Sequence, residues 1–278
     1  MLEVYKLTKR FGERIALDGV TFRVGRGETL AVMGPSGCGK STLLLAIQRL
    51  VRVDSGEIWF GGEPVMHLKG EMLRRYRRRI GFVFQRQQLV GHLDALENVL
   101  LGPVLAGTPE RKARRLAEQA LEQVGLLSKA RDFPATMSGG ERQRVGIARA
   151  LAMQPELILW DEPTAALDPM LVDDVIEVMT ALAKQRSTAM IVVTHELPFA
   201  LQVADRVVLM ERGAVVGSGP PREVLFGGEG EIARRLRRLY EVRYGGTSLP
   251  AGRRDDRTER SDEERRRTIP AGRSILAM

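Results

Sequence analysis

Apolar residues occur along the chain in runs that suit buried strands, separated by segments that suit helices. Residues 30–33, 157–161 and 190–194 are almost continuously apolar, which is typical of parallel strands buried on both faces. Shorter apolar or alternating segments predict further strands over residues 2–7, 19–23, 57–60, 80–84 and 203–218. Because strands alternate with helices, the pattern predicts an α/β fold with a mostly parallel core sheet.

Helical periodicity follows several of these strands. Residues 110–124 carry Ala, Leu and Val side chains at a spacing that places them on one helix face. Ser138, with Glu141 three residues later, has the pattern of a capping box at the start of another helix. Further helices are predicted over residues 41–50, 140–152, 173–182 and 229–242.

The strand pattern is interrupted in the middle of the chain and stops near its end. Residues 85–135 contain no comparable strand run. We therefore expect an α/β core of residues 1–84 and 154–242, with a helical subdomain of residues 85–153 inserted into it. Residues 243–278 are rich in Arg, Asp, Glu and Gly, and we expect them to form a disordered tail because they offer few core residues.

Composition narrows the class of protein. The 278 residues are 44% hydrophobic, with no run of 18 apolar residues, so we expect a globular core and no membrane span. The first residues lack the basic-then-apolar pattern of a secretion signal. The single cysteine, Cys38, excludes an internal disulfide framework and suits a reducing cytosol.

The chain is basic, with a formal net charge of +8. Such a charge suits binding to nucleic acid or to an anionic membrane, or simply a solvated arginine-rich surface. Nucleic-acid modules usually interleave aromatic residues with basic ones, but aromatics make up only 5% of this chain. The densest basic cluster, residues 74–79, contains one aromatic residue. We therefore interpret the charge as a solvated surface and expect no nucleic-acid partner.

The clearest chemical motif follows the strand at residues 30–33. Residues 34–41 fit the pattern G-x-x-x-x-G-K-[ST] at every position, in which glycines allow backbone amides to converge on phosphate oxygens at a helix N-terminus. Lys40 is expected to contact the β- and γ-phosphates, and the Ser41 hydroxyl to ligate Mg²⁺. The residues expected to bind the triphosphate are Gly34, Pro35, Ser36, Gly37, Cys38, Gly39, Lys40, Ser41 and Thr42.

Two acids close the strand at residues 157–161. We expect this strand to lie beside the one that leads into the phosphate loop. Asp161 would then lie near Mg²⁺, and Glu162 would polarise a water in line with the γ-phosphate. Acids that merely cap a turn are the alternative, and that alternative is weak for an Asp-Glu pair after four apolar residues.

A third motif, Met-Ser-Gly-Gly-Glu-Arg-Gln-Arg, occupies residues 137–144 between the phosphate loop and the acids. With these three motifs in this order, residues 1–240 resemble the nucleotide-binding subunit of an ATP-binding cassette (ABC) transporter. The signature of that family is usually Leu-Ser-Gly-Gly-Gln, so this chain has Met137 for Leu and Glu141 for Gln. Glu141 adds negative charge near a triphosphate unless its side chain turns back to cap the helix.

The resemblance implies a phosphate-loop NTPase fold with an N-terminal antiparallel β part, and it implies roles for four further residues. Gln85 would sense Mg²⁺ and the attacking water, and His195 would contact the γ-phosphate. Asp168 would lie in the loop that crosses to the other subunit. Phe11 would stack on adenine, with an ordinary core aromatic as the alternative.

The resemblance also implies partners. Two copies would form a head-to-tail homodimer, in which Ser138, Gly139 and Gly140 of one copy cover the ATP held by the other. The transport path would belong to membrane permease subunits, which would hold this subunit at the cytoplasmic face of the membrane. Residues 87–99 would contact them, although internal packing is an equally good interpretation of their apolar side chains.

The transported solute is indicated only by likeness. Residues 91–103 and 161–169 resemble the polar amino acid uptake branch, whose importers receive solute from an extracytoplasmic binding protein. Importers of phosphonate, methionine or other small solutes remain open. Soluble ABC-type ATPases of translation or DNA repair are a further alternative, but they generally carry two cassettes, zinc modules or long coiled coils, which this sequence lacks.

Overall fold

The structure, a computed structural model, describes residues 1–227 together with Arg234 and Arg238. The helix predicted over 229–242 and the tail predicted over 243–278 therefore lie outside the described residues, apart from those two positions. The strands are β1 (Leu2–Phe11), β2 (Arg14–Val24), β3 (Thr29–Met33), β4 (Ser55–Phe60), β5 (Glu63–Pro64), β6 (Ile80–Val83), β7 (Leu157–Asp161), β8 (Ala189–Val193), β9 (Arg206–Glu211) and β10 (Ala214–Gly219). The helices are α1 (Lys40–Ile47), α2 (Gly70–Arg78), α3 (Ala95–Leu105), α4 (Glu110–Gln123), α5 (Gly139–Leu151), α6 (Pro169–Gln185) and α7 (Leu197–Gln202).

The N-terminal part is a four-stranded antiparallel sheet in the order β2-β1-β4-β5. Its strands β1 and β2 pair from Leu2 opposite Val24 to Phe11 opposite Arg14. Buried residues recur at alternate positions of β2, as expected for a sheet with one face on the core. The antiparallel N-terminal part is therefore present, with longer strands than the predicted segments 2–7 and 19–23.

The central sheet has six strands in the order β10-β9-β3-β8-β7-β6, and every neighbouring pair is parallel except β10 with β9. Every residue of β3 and β8 is buried, as the continuous apolar runs predict. The expected α/β fold with a mostly parallel sheet is confirmed. One expectation is wrong: β7, which ends in Asp161, does not lie beside β3, because β8 lies between them.

Alternate residues of the central strands pack into different layers. Leu159 of β7 packs with α1 and the antiparallel sheet, whereas Ile158 and Trp160 pack with α3 to α6 on the opposite face. Helix α1 therefore lies between the two sheets. Trp160 is fully buried, which at 25 cal/mol per Å² of apolar area corresponds to about 3 kcal/mol or more for a side chain of this size.

Several helices were not predicted or begin elsewhere than predicted. Helix α3 contains Pro103, its only polar side chains are those of Glu97 and Asn98, and it is not amphipathic, so its sequence gives no clear helical period. Helix α6 begins at Pro169, four residues before the predicted start, because proline is well placed at a first helical position. Within the described residues, no helix is both long and apolar enough to cross a membrane.

Candidate ATP-hydrolysis site

The phosphate loop connects β3 to α1, and two of its glycines, Gly34 and Gly39, cannot be replaced without moving backbone. Gly34 has φ 151° and Gly39 has φ 108°, a region that L-residues rarely adopt. A Cβ on Gly34 would lie 2.1 Å from the Met210 carbonyl oxygen, and one on Gly39 would lie 2.1 Å from that of Ala16. Gly39 is the N-cap of α1 and has no side chain to bond the helix amides. The amides of the first turn can therefore receive a phosphate.

Lys40 and Ser41 open helix α1 with their side chains directed at the loop and at β7. Lys40 is 4% exposed, and its Nζ donates to the carbonyl oxygens of Gly34 (3.0 Å) and Pro35 (3.1 Å). The Ser41 hydroxyl donates to Asp161 Oδ1 at 2.8 Å. The loop and β7 thus meet although β8 separates their strands, because α1 packs across the sheet against β7.

Glu162 follows β7 in a strained conformation, with φ 46°, which is unusual for a residue with a side chain and is common at functional sites. Its Oε1 forms a hydrogen bond with His195 Nε2 at 3.0 Å and lies 3.7 Å from Lys40 Nζ. The hydrogen bond from His195 is the main reason why the pKa of Glu162 is lowered; burial opposes it, and Lys40 adds to it. The Glu162 carboxylate is therefore ionised and held between two nitrogen groups.

Asp161 is electrostatically different from its neighbour. Burial raises the pKa of Asp161, and the charge of Glu162 raises it further, although the Ser41 hydroxyl works in the opposite direction. A cation near Asp161 would relieve this unfavourable charge. The oxygen donors Asp161 and Ser41, with the exposed Gln85 on the same pocket, form the kind of set that Mg²⁺ prefers.

A pocket of about 290 Å³ lies above these groups. Half of the predicted nucleotide-binding residues line it, whereas Asp161 and His195 do not. Phe11 is half exposed at its wall, with the Lys9 ammonium 5.0 Å from the ring centroid. The lining residues are Phe11, Arg14, Ala16, Ser36, Gly37, Gly39, Lys40, Ser41, Thr42, Gln85 and Glu162.

Arg14 and Ala16 are pocket residues that the sequence did not indicate. Arg14 Nη2 donates to the Gly37 carbonyl oxygen at 3.0 Å, so a guanidinium lies directly against the phosphate loop. Both residues belong to β2, but burial alternates only over its second half, from Val20 to Val24, so no period-two pattern marked them. The predicted strand over 19–23 began too late to include them.

Cys38 lies inside the phosphate loop but is 6% exposed. Burial raises the pKa of its thiol, and the nearby Lys40 only partly offsets this effect. A raised pKa leaves little thiolate at neutral pH, which favours a small, unreactive spacer over a reactive cysteine.

The signature residues lie at the N-terminus of α5, away from this pocket. Ser138 and Glu141 form the predicted capping box: the Glu141 amide donates to Ser138 Oγ at 3.2 Å, and the Ser138 amide donates to Glu141 Oε2 at 2.8 Å. Glu141 also pairs with Lys129. Ser138, Gly139 and Gly140 are not among the residues that line the pocket, so one copy of the chain does not bring its own signature to its phosphate loop.

Asp168 occupies the N-cap position of α6, but its side chain makes no capping hydrogen bond. The side chain of Asp168 therefore does not cap α6. It is exposed and does not line the pocket. Like the signature residues, Asp168 is therefore not part of the pocket of its own chain.

Helix α5 also holds the segment that carries Gln85. Gln143 Nε2 donates to the Phe84 carbonyl oxygen at 3.4 Å. Arg149, from the same helix, donates to the carbonyl oxygens of Gln87 (2.9 Å) and Gln88 (3.0 Å). The sequence did not indicate these contacts, because both residues look like ordinary polar positions of an amphipathic helix.

A phosphate loop, an acid pair and a histidine at the carboxyl ends of parallel strands define a nucleoside triphosphate hydrolase. Comparison with known proteins narrows this class. The family model described as ABC transporter matches residues 17–165. An L-cystine transport system ATP-binding protein of Escherichia coli is 43% identical over 224 residues, which cover 78% of this chain and 89% of that protein.

Other relatives agree. A glutamine transport ATP-binding protein of Geobacillus stearothermophilus is 41% identical over 235 residues, covering 84% of this chain and 96% of that protein. The dimeric ATP-binding cassette MJ0796, solved in a post-hydrolysis state with ADP and Pi, has a TM-score of 0.71 at 34% identity over 80% of this chain and 99% of its own. The chain therefore belongs to the ABC transporter family, as an ATP-binding and ATP-hydrolysing subunit.

Proposed function

We propose that this chain hydrolyses ATP in the pocket above α1 to power an importer of polar amino acids. The observation that carries the proposal is the convergence of Lys40, Ser41, Asp161, Glu162 and His195 at one end of the sheet. Lys40 and the α1 amides hold the β- and γ-phosphates. Glu162, the ionised carboxylate beside His195, is the general base for the attacking water.

His195 and Gln85 complete the arrangement. His195 forms a hydrogen bond with Glu162, which supports a role in orienting the base and in contacting the γ-phosphate. Gln85 lines the same pocket as Glu162 and would position water through its amide. Because α5 holds the segment after Gln85 through Arg149, occupancy of the pocket can be transmitted to the helical layer.

Mg²⁺ fits the oxygen donors Ser41, Asp161 and Gln85. When bound, it would neutralise phosphate charge and polarise the triphosphate. The described residues contain no group of three or more His, Cys, Asp or Glu side chains arranged for a metal ion. This suits a cation that is held in large part by the nucleotide's own oxygens, as is usual for Mg²⁺.

Two copies of the chain form the working unit in this proposal. Ser138, Gly139, Gly140 and Asp168 lie outside the pocket of their own chain. A head-to-tail arrangement places them over the ATP of the partner copy and produces two equivalent composite sites. The dimeric state of the MJ0796 cassette supports this arrangement.

Membrane permease subunits are the second partner, and the helical layer is the proposed contact. Within the predicted contact segment 87–99, Leu96 and Val99 are buried in the core, so internal packing explains those two side chains. The exposed end of α3 is a better candidate, since Val104 is 49% and Leu105 is 78% exposed. We propose that the permease binds this end together with the loop that precedes α3, at the inner face of the membrane.

Polar amino acids are the proposed solutes because the relatives of 41–43% identity are ATP-binding proteins for L-cystine, glutamine and arginine transport. In such a system an extracytoplasmic binding protein would deliver the solute. No residue of this chain is proposed to touch it. The solute is therefore a property of the assembled importer.

Reconstitution with the cognate permease tests the proposal. Vesicles containing the complex should accumulate glutamine, arginine or cystine when ATP is supplied with the binding protein. Glu162→Gln should reduce ATP turnover and uptake on the order of 10²- to 10⁴-fold, because it removes the base. Uptake of methionine or a phosphonate in place of the polar amino acids would reject the solute class, and full turnover by Glu162→Gln would reject the assigned base.

A further inference from the structure

Glu141 is one of the two positions, with Met137, at which the signature of this chain departs from the usual Leu-Ser-Gly-Gly-Gln, and both of its carboxylate oxygens make polar contacts. Oε2 accepts from the Ser138 amide at 2.8 Å, which a glutamine oxygen could do equally well. Oε1 pairs with Lys129 Nζ, and a glutamine has no charge for such a pair. The carboxylate side chain is 16% exposed. Helix capping therefore accounts for the contact of Oε2, and the ion pair with Lys129 accounts for the contact of Oε1.

Lys129 comes from a different element. It ends the short 3₁₀ turn Leu127–Lys129, which follows α4 and precedes α5. The Lys129 amide donates a hydrogen bond to the Leu126 carbonyl oxygen at 3.0 Å, so the turn holds the backbone of Lys129 in position. The side chain is 45% exposed.

The opposite charges of Glu141 and Lys129 give the pair a net charge close to zero. Hydrogen bonding and charge attraction between the partners lower the pKa of Glu141 and raise that of Lys129. Asp132 and Arg144 act on Lys129 in opposite directions, and Arg144 is itself paired with Asp174 at 2.6 Å. Both members of the pair are thus charged at neutral pH.

We propose that Lys129 is a positioning residue that neutralises Glu141, so that the N-terminus of α5 can close on the γ-phosphate of the ATP held by a second copy. This inference rests on the proposed dimer. An unpaired carboxylate in the first turn would face a highly anionic nucleotide. It would also compete with the phosphate for the positive end of the helix.

A purely mechanical role for the pair makes a different prediction. If the ion pair serves only to tie the turn to α5, loss of either charge should have the same effect. If neutralisation is its function, loss of Lys129 is harmful only while residue 141 is negative. Glu141→Gln keeps the capping geometry, so it separates the two cases without removing the helix cap.

The experiment measures ATP-dependent dimerisation of the full chain by sedimentation in a Glu162→Gln parent, in which hydrolysis is blocked. Lys129→Met should weaken dimerisation on the order of tenfold, with a smaller deficit at high salt. Glu141→Gln should dimerise at least as tightly as the parent. Adding Glu141→Gln to Lys129→Met should restore dimerisation to within about twofold of Glu141→Gln alone. Lys112→Met, at an exposed lysine of α4, is the matched control.

Three results would overturn the inference, and they are distinguishable. A Lys129→Met protein that dimerises like the Lys112→Met control rejects the neutralising role while leaving the dimer intact. Equal damage from Glu141→Gln and Lys129→Met shows a mechanical tie instead. A parent that stays monomeric with ATP rejects the proposed dimer, and the inference with it. Thermal unfolding of each variant without nucleotide shows whether the fold itself has changed.

Discussion

Two glycine-rich helix N-termini in this chain serve different purposes, and their caps show how. Helix α1 begins at Gly39, which has no side chain to satisfy the first amides. Helix α5 begins at Ser138, whose hydroxyl accepts from the Glu141 amide while Glu141 accepts from the Ser138 amide. The first terminus leaves its amides to a ligand, whereas the second is partly satisfied by its own side chains.

The glycines of the two termini differ in the same way. A Cβ on Gly39 would lie 2.1 Å from a backbone oxygen, whereas one on Gly139 would meet only side chains, those of Leu167 at 3.6 Å and Arg142 at 3.9 Å. At Gly39 the phosphate loop therefore excludes a side chain by contacts within one chain. Gly139 has room for a Cβ within its own chain, so the need for glycine there arises from what approaches from outside. We infer that α1 is a complete anion site and α5 is half of one.

The largest expected effect comes from adding one methyl group to each terminus. Gly39→Ala should abolish measurable nucleotide binding, because the new Cβ collides with backbone and the residue must keep φ 108°. Gly139→Ala should leave ADP affinity of the single chain within about twofold, because its neighbour is a movable side chain. Isothermal titration of both variants with ADP checks the contrast. Equal losses of ADP affinity in the two variants would contradict this contrast.

A smaller effect is expected at the pocket wall. Arg14→Ala and Phe11→Ala should each weaken ATP binding several-fold, because one removes a cation at the phosphate loop and the other removes the proposed adenine platform. The two should differ with adenosine as ligand: Phe11→Ala should still weaken its binding, and Arg14→Ala should not. Fluorescence titration with ATP and adenosine measures this. Unchanged ATP affinity in either variant would remove that residue from the site.

The smallest effect concerns stability. Because the pKa of Asp161 is raised in the folded chain, its ionisation costs stability at any pH above its ordinary value. Asp161→Asn should therefore raise the melting temperature of the nucleotide-free protein at pH 7 by a few degrees. The gain should shrink as the pH falls and Asp161 becomes protonated. Thermal unfolding between pH 4 and pH 7 measures it, and a lower melting temperature for the variant at pH 7 would contradict the prediction.

The sequence predicted the central sheet well because its strands are continuously apolar and every residue of β3 and β8 is buried. It could not give the order of the strands. Asp161 reaches Ser41 although β8 separates β7 from β3, and no periodicity along one strand encodes its neighbours. Helix α3 was missed because a mainly apolar segment that contains Pro103 has no clear amphipathic period.

The candidate site shows a similar division. Lys40 and Glu162 could be found because each belongs to a recognisable motif, and His195 could be found through the family resemblance. Arg14 and Arg149 could not, because their roles arise from contacts with backbone carbonyls far along the chain. The domain boundaries at residues 84/85 and 153/154, and the roles given to individual site residues, stay predictions.

Mixing two incomplete copies tests the shared site most directly. In the Glu162→Gln background, a Lys40→Met copy lacks a working phosphate loop, and a Ser138→Arg copy lacks a working signature. Neither should dimerise alone with ATP, but a mixture should form heterodimers, because one intact loop meets one intact signature. Sedimentation of differently labelled copies measures this. Heterodimers only in the ATP-containing mixture are the predicted result; a mixture that stays monomeric, or a Ser138→Arg protein that dimerises by itself, would contradict the account.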